Sequence, residues 1–263
     1  MKQDNKYTVI TGASSGIGYE TAKAFAKRGK NLVIVARNKD TLEKLKMEIL
    51  NDNSSLNVIV KDTDLSIIKN VYQLYKELKP YQLETWINNA GFGDYDSVAN
   101  QNLEKVEIML RLNVEALVIL SSLFVHDYQN IEGSKLINIS SAGGYIIVPT
   151  AVTYCASKFF VSTFTEGLAR ELQGSNAKLQ AKVLAPAATK TNFGNVANNL
   201  ERYDYDKSFG TYHTSKQMAD FLLQLHDSNQ VVGAVNRESF EFELLSPLFN
   251  YAGNPKHNQS VVL

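Results

Sequence analysis

Eight residues, TGASSGIG from Thr11 to Gly18, lie between a short apolar run, Tyr7–Ile10, and an amphipathic stretch that reaches about Arg28. That placement is the tightest constraint in the chain. Gly12, Gly16 and Gly18 allow a sharp turn and let a backbone come close to a ligand. The helix after the loop offers N–H donors and the positive end of its dipole, which suits a pyrophosphate. Ser14, Ser15 and Ile17 share the same loop and first turn, and all six residues are candidate cofactor contacts. The glycine spacing, GxxxGxG, differs from the GxGxxG of the dinucleotide fingerprint.

The remainder of the chain repeats the strand–helix unit. Strand-like runs at Asn31–Val35, Leu56–Val60, Thr85–Asn88, Leu136–Ser140, Lys178–Leu184 and Phe240–Leu244 alternate with helical stretches at about 38–50, 66–78, 102–126, from Tyr154 to about 172, and 214–227. Strands alternating with helices imply right-handed crossovers and a parallel sheet covered on both faces. The prediction is therefore an α/β fold of Rossmann type: a doubly wound parallel sheet of about seven strands in a single domain spanning residues 1–263. Residues 189–212 are polar, rich in asparagine and aromatics, and without a clean period; a loop of that length predicts a lid over a site. The tail from Ser246, with Pro247 and Pro255, reads as irregular.

A second constellation lies in SSAGGYIIVPTAVTYCASK. Tyr154 and Lys158 are one helical turn apart, so ammonium and phenol share a face. A free phenol has a pKa of about 10, and a neighbouring positive charge favours its ionised form. Tyr-x-x-x-Lys occurs at Tyr19, Tyr72, Tyr75, Tyr154, Tyr203 and Tyr212, so the pair alone selects nothing. Stepping thirteen residues back from these tyrosines gives Lys6, Ile59, Asp62, Ser141, Lys190 and Asn199. Only Tyr154 has a hydroxyl there, delivered from the end of a strand-like run. Ser141, Tyr154 and Lys158 together can exchange a proton with the oxygen of a carbonyl or an alcohol.

The bulk composition limits the alternatives. With 27 basic and 27 acidic residues the formal charge is zero, so no global field draws in nucleic acid or an anionic membrane. The longest mostly apolar run, Ala116–Val125, is too short to span a bilayer. The single cysteine, Cys155, excludes an internal disulfide and reads as a small buried residue. Together with the lack of room for a signal peptide before the first strand, it predicts a cytoplasmic protein. His126, His213, His226 and His257 lack ligand spacing, so no metal site is expected. At the end of the second strand stands Arg37 in place of an acidic residue. A guanidinium there can hold a 2′-phosphate bidentately, which predicts NADP(H) over NAD(H), with Asp40 nearby as the opposing feature.

These residues resemble the short-chain dehydrogenases/reductases with TGxxxGxG and YxxxK motifs, from Tyr7 to about Leu245. TGASSGIG matches the cofactor loop. Asp64, followed by Leu65, matches the acidic residue that contacts adenine, and Asn88, Asn89, Ala90 and Gly91 match the NNAG segment beside the cofactor. Asn113, Ser141, Tyr154 and Lys158 match the catalytic tetrad. The resemblance implies Tyr154 as general acid/base, with Lys158 lowering its pKa and holding the nicotinamide ribose. Ser141 would orient the substrate oxygen, and Asn113 would hold a relay water. Pro186, Thr189 and Thr191 would pass the nicotinamide, although Pro186-Ala187 stands where the family has Pro-Gly. Ser15 occupies a position where NADP-dependent members often carry a basic residue.

Phe92, Tyr145, Ile147 and Phe193 are expected pocket walls, favouring a small, uncharged, moderately apolar carbonyl compound. Family members commonly pair through the helices at 102–126 and 152–172, so a homodimer or homotetramer is implied, and Phe159, Phe160, Val161 and Phe164 fit such a surface. The leading reading is an NADP(H)-dependent oxidoreductase interconverting a carbonyl and an alcohol. The alternative is a non-catalytic NADP(H)-binding redox sensor.

Overall fold

A strand covered on both faces must be apolar throughout, and β2 (Asn31–Ala36) is buried at every position. It belongs to a sheet that a computed structural model describes over residues 6–252. Beside it run β1 (Lys6–Thr11), β3 (Val58–Asp62), β4 (Gln82–Asn88), β5 (Lys135–Ile139) and β6 (Gln180–Ala185). Beyond these come β9 (Val232–Val235) and β10 (Phe242–Leu245), in the order β10-β9-β6-β5-β4-β1-β2-β3. All pairings are parallel except β10 with β9. Among the described residues the sheet thus has eight strands rather than about seven. The sequence pattern missed Val232–Val235, and the closing strand is an antiparallel edge on a parallel sheet.

Helices α1 (Gly16–Lys27), α2 (Lys39–Asp52) and α9 (Ser215–Asp227) cover one face, where Phe25, Leu42, Leu45 and Leu222 pack on Ile10 and Ile34. Helix α3 (Ile68–Leu78), the run from α4 (Leu103–Leu110) to α5 (Leu117–Tyr128), and α6 (Val152–Gly174) cover the other, around Trp86, Phe124 and Leu136. Leu103–Tyr128 is one continuous helix, longer than its apolar core, and by length and composition it could cross a membrane. Here Leu117, Leu120 and Phe124 lie in the protein core.

Between α4 and α5 the helix widens to a π-turn over Arg111–Ala116, with Asn113 in its middle. Such insertions recur at functional sites. The 189–212 segment is more ordered than a plain loop: β7 (Thr189–Lys190) pairs with β8 (His213–Thr214), and between them lie α7 (Phe193–Ala197) and α8 (Tyr205–Ser208). Within the tail, Leu248 and Phe249 donate their amides to Glu166 on α6, and Phe249 stacks on Tyr145. Pro255 and His257 lie outside the described residues.

Candidate active site

The glycine loop leaves β1 and enters α1 with Gly12 and Gly16 at positive φ, the left-handed region in which glycine is unstrained. A Cβ on Gly12 would lie 2.8 Å from the Asn89 amide nitrogen, so the segment after β4 presses on the loop. Asn89 fixes that contact by donating its side chain to the carbonyls of Thr11 at 2.9 Å and Gly12 at 3.2 Å. The Thr11 hydroxyl in turn accepts the amides of Asn89 and Ala90, each at 3.0 Å. Ser15 precedes α1, but its side chain does not cap the helix, and the first turn carries no acidic residue. The first-turn donors therefore face the loop without a competing side-chain acceptor. Loop and helix end fit a pyrophosphate.

Beneath the strand ends lies a buried amide network. Asn88 donates to Asn138 at 2.9 Å and Ser121 at 3.1 Å, Trp86 donates to Asn88 at 2.8 Å, and Asn138 donates to Thr165 at 2.9 Å. It joins β4, β5, α5 and α6 just below the residues that would do chemistry, and it gives both carboxamides the partners that burial demands.

Above it, β5 delivers Ser140 and Ser141 in opposite directions. Ser140 is buried, its hydroxyl 2.7 Å from Ser162 Oγ and donating to the Lys158 carbonyl at 2.9 Å. Ser141 turns outward, accepts the Gly143 amide at 3.0 Å, and lies within hydrogen-bonding reach of the Tyr154 phenol. Tyr154, in the first turn of α6, is 6% exposed. Lys158 stands one turn further on and is also buried, its Nζ 5.9 Å from the Tyr154 ring centroid and donating to Ile139 O at 2.9 Å. Asn113 closes the group: its carboxamide exchanges hydrogen bonds with the Phe92 backbone at 2.9 and 3.1 Å and donates to Ser157 Oγ at 3.3 Å. A Cβ on Gly91 would come 2.9 Å from Asn113 Oδ1 and 3.5 Å from Lys158 Nζ. Four side chains from three separate parts of the chain thus meet beside the segment after β4 that presses on the glycine loop.

The electrostatics differ from expectation in one respect. Burial pushes the Tyr154 phenol above its ordinary value; the Ser141 hydrogen bond works against that rise, and Lys158 contributes no resolved lowering. Burial also lowers Lys158, from 10.5 to about 8. In both groups desolvation is the largest cause, since burial disfavours the charged form of each. The phenol accordingly holds its proton.

A family model described as short chain dehydrogenase matches residues 6–201. The chain belongs to the short-chain dehydrogenases. It is 29% identical over 215 residues to dehydrogenase/reductase SDR family member 11 of Gallus gallus, covering 80% of this chain and 83% of that one. Its fold is similar to that of a short-chain dehydrogenase from Sphingobium yanoikuyae in complex with NADPH, with a TM-score of 0.78, 27% identity and 89% of each chain covered. It is also similar to the bulky-bulky ketone specific alcohol dehydrogenase of Comamonas testosteroni, with a TM-score of 0.75 and 27% identity over 88% of this chain and 86% of that one.

In this short-chain dehydrogenase the remaining residues expected at the cofactor lie just past β2, β3 and β6 and around β7. Arg37 is exposed immediately after β2. Asp64 lies just past β3 and accepts from the Ser66 amide at 2.9 Å and hydroxyl at 2.7 Å, while Leu65 is buried. Pro186 O accepts the Ala142 amide at 2.7 Å, and Thr189 Oγ1 donates to Ala187 O at 2.9 Å. Ala187 is not among the residues at positive φ, so alanine occupies the usual glycine position without backbone strain. Thr191 packs on Gly16, where a Cβ would meet its methyl at 3.0 Å.

The expected pocket walls divide. Phe193 lies 5.4 Å from the Tyr154 ring, and Phe92 packs in the same cluster. Tyr145 turns away from the site: its hydroxyl donates to Glu166 at 2.7 Å, and its ring packs with the core beneath α6 and on Phe249. Ile147 is 73% exposed. The residue that sequence reading overlooked is Tyr95, whose ring lies 5.8 Å from Tyr154 and 6.3 Å from Phe193. It sits in a polar stretch with no period, and only its nearness to NNAG pointed toward the site. Cys155 is buried, as predicted for a small residue of the core.

Proposed function

We propose that this dehydrogenase interconverts a carbonyl and an alcohol using NADP(H), with Tyr154 as the proton donor and acceptor. The observation that carries this reading is the meeting of Ser141, Tyr154, Lys158 and Asn113 beside the segment after β4, which presses on a glycine loop that fits a pyrophosphate. Such a set has no purpose in a protein that only senses redox state.

Bound NADPH would supply the hydride for the carbonyl carbon. The protein's part is the oxygen. Ser141 holds it beside the phenol, and Tyr154, kept neutral by burial, gives it a proton. Lys158, anchored to Ile139 O, would bind ribose hydroxyls and stabilise the phenolate left behind. Asn113, held by the Phe92 backbone, orders the polar path behind Lys158. Arg37 at the end of β2 supports NADP(H) over NAD(H), as does the NADPH complex of the Sphingobium yanoikuyae protein. Phe92, Tyr95 and Phe193 give the substrate side apolar walls, which suits an uncharged ketone or aldehyde; the ketone specificity of the Comamonas testosteroni enzyme points the same way. The 189–212 segment acts as the lid, in a cytoplasmic protein that pairs through α4, α5 and α6.

The test is reduction of a panel of ketones and aldehydes with NADPH and NADH, in the wild type and in Tyr154→Phe. Turnover should fall by about 10²–10⁴-fold in the variant, with NADPH affinity unchanged. Near-normal turnover would overturn the role of Tyr154.

A further inference from the structure

Three rings cluster at the candidate proton donor: Tyr154 itself, Tyr95 and Phe193, with centroids 5.4–6.3 Å apart. Tyr95 and Phe193 come from segments about a hundred residues apart in sequence, and something must hold them together. Phe193 lies against Gly93, where a Cβ would come 2.7 Å from the ring tip. The Tyr95 amide donates to Ala197 O at 2.9 Å. Between these segments stands Lys105 of α4. Its ammonium lies 2.6 Å from the carboxylate of Asp94, and donates to Val196 O at 2.9 Å and Asn199 Oδ1 at 2.8 Å. Asp94 is 6% exposed, so its charge has little water to fall back on.

We infer that Lys105 is a positioning residue: one ammonium joins Asp94, beside Tyr95, to α7, which carries Phe193, and so latches the aromatic cup over Tyr154. The three acceptors use all three ammonium protons. Two lie on the 193–199 side and one on the 92–95 side, so losing the ammonium frees both walls at once. The effect on turnover rests on the reading of Tyr154 above; the latch itself does not.

The chain's single cysteine reports the state of the cup, because Cys155 is 1% exposed and packs with Tyr154 beneath Phe92, Tyr95 and Phe193. Full-length wild type, Lys105→Met, Lys105→Arg and the double variant Asp94→Asn/Lys105→Met are treated with dithionitrobenzoate, and release of thionitrobenzoate is followed. Leu225→Ala, on the buried face of α9, serves as a globally destabilised control matched in melting temperature. Lys105→Met and the double variant should label about tenfold faster than wild type or more, with Lys105→Arg restoring most of the protection. The double variant separates loss of the latch from a stranded Asp94 charge. With NADPH and a ketone bearing two bulky groups, Lys105→Met should raise KM several-fold and leave kcat within about twofold. Labelling that is unchanged in Lys105→Met overturns the latch, and so does an equal acceleration in Leu225→Ala. Faster labelling in Lys105→Met but not in Leu225→Ala supports it, even if the wild type reduces no carbonyl compound; that second result would remove the reductase reading instead.

Discussion

Gly91 and Asn113 stand so close that the smallest side chain on the first would strike the second, with a Cβ only 2.9 Å from Asn113 Oδ1. The glycine of the NNAG segment is thus required by the π-turn opposite, which pushes the Asn113 carboxamide toward the end of β4. Gly91→Ala should break the paired hydrogen bonds between Asn113 and the Phe92 backbone and cost about 1–3 kcal/mol. Urea unfolding would show a lower midpoint with an unchanged slope.

The two serines that follow β5 should separate stability from chemistry. Ser140→Ala removes a buried hydroxyl that satisfies Ser162 and the Lys158 carbonyl, and should cost about 1–3 kcal/mol of stability. Ser141→Ala removes a group only partly buried. It should leave the melting temperature almost unchanged but lower turnover by about 10²-fold or more. Melting curves and kcat for the pair would show whether the effects cross over in this way.

Lys158 should make stability rise with pH. Below about pH 8 the folded and unfolded chains both carry the ammonium, and the fold bears the full cost of burying it. Between about 8 and 10.5 the folded protein releases that proton first, so the cost is relieved as pH increases. Lys158→Met should therefore be more stable than wild type at neutral pH, by about 1–3 kcal/mol after allowing for the lost bond to Ile139. The gap should shrink as pH approaches the ordinary lysine value, while turnover is lost throughout. Denaturant unfolding of both proteins at neutral pH and at steps across that window measures the trend.

Arg37 is exposed and lies at the end of β2, so its removal should touch ligand selection and little else. Arg37→Ala should weaken NADPH binding about tenfold to a hundredfold while leaving NADH within about twofold. Titration of nicotinamide fluorescence with each cofactor checks this.

Much of the fold was legible because strand and helix periods alternate cleanly from Lys6 to Ala185. The site was legible because only Tyr154 combines a Lys one turn on with a Ser thirteen before. The miss at Val232–Val235 has a physical cause. The strand is short and contains Gly233, and it is completed by a return through Asn236 and Phe240, where a left-handed Phe240 makes the turn. A single closing strand was the simpler pattern. Tyr95 was invisible because its contact with Tyr154 is purely tertiary. Tyr145 looked like a wall because it comes soon after Ser141, but the buried Glu166, far along α6, captures its hydroxyl. The π-turn left one trace, a polar Asn113 within an apolar helix. The raised phenol was not readable at all, since proximity of Lys158 is a local fact and desolvation is a property of the assembled fold.

Asn88 and Asn138 are direct neighbours across β4 and β5, and their carboxamides meet inside the protein. In a parallel pair a shift of one residue would turn one amide to the opposite face, and a shift of two would slide the strands by about 6.6 Å. Either error strands buried carboxamides, so the pair acts as a vernier between two strands that hydrogen bonding alone would allow to slip. Asn89 and Gly91 continue from one strand, Ser140 and Ser141 from the other. The relative height of the cofactor shelf and the hydroxyl that faces it is therefore set one to three residues below the site, by two side chains that would never touch a ligand.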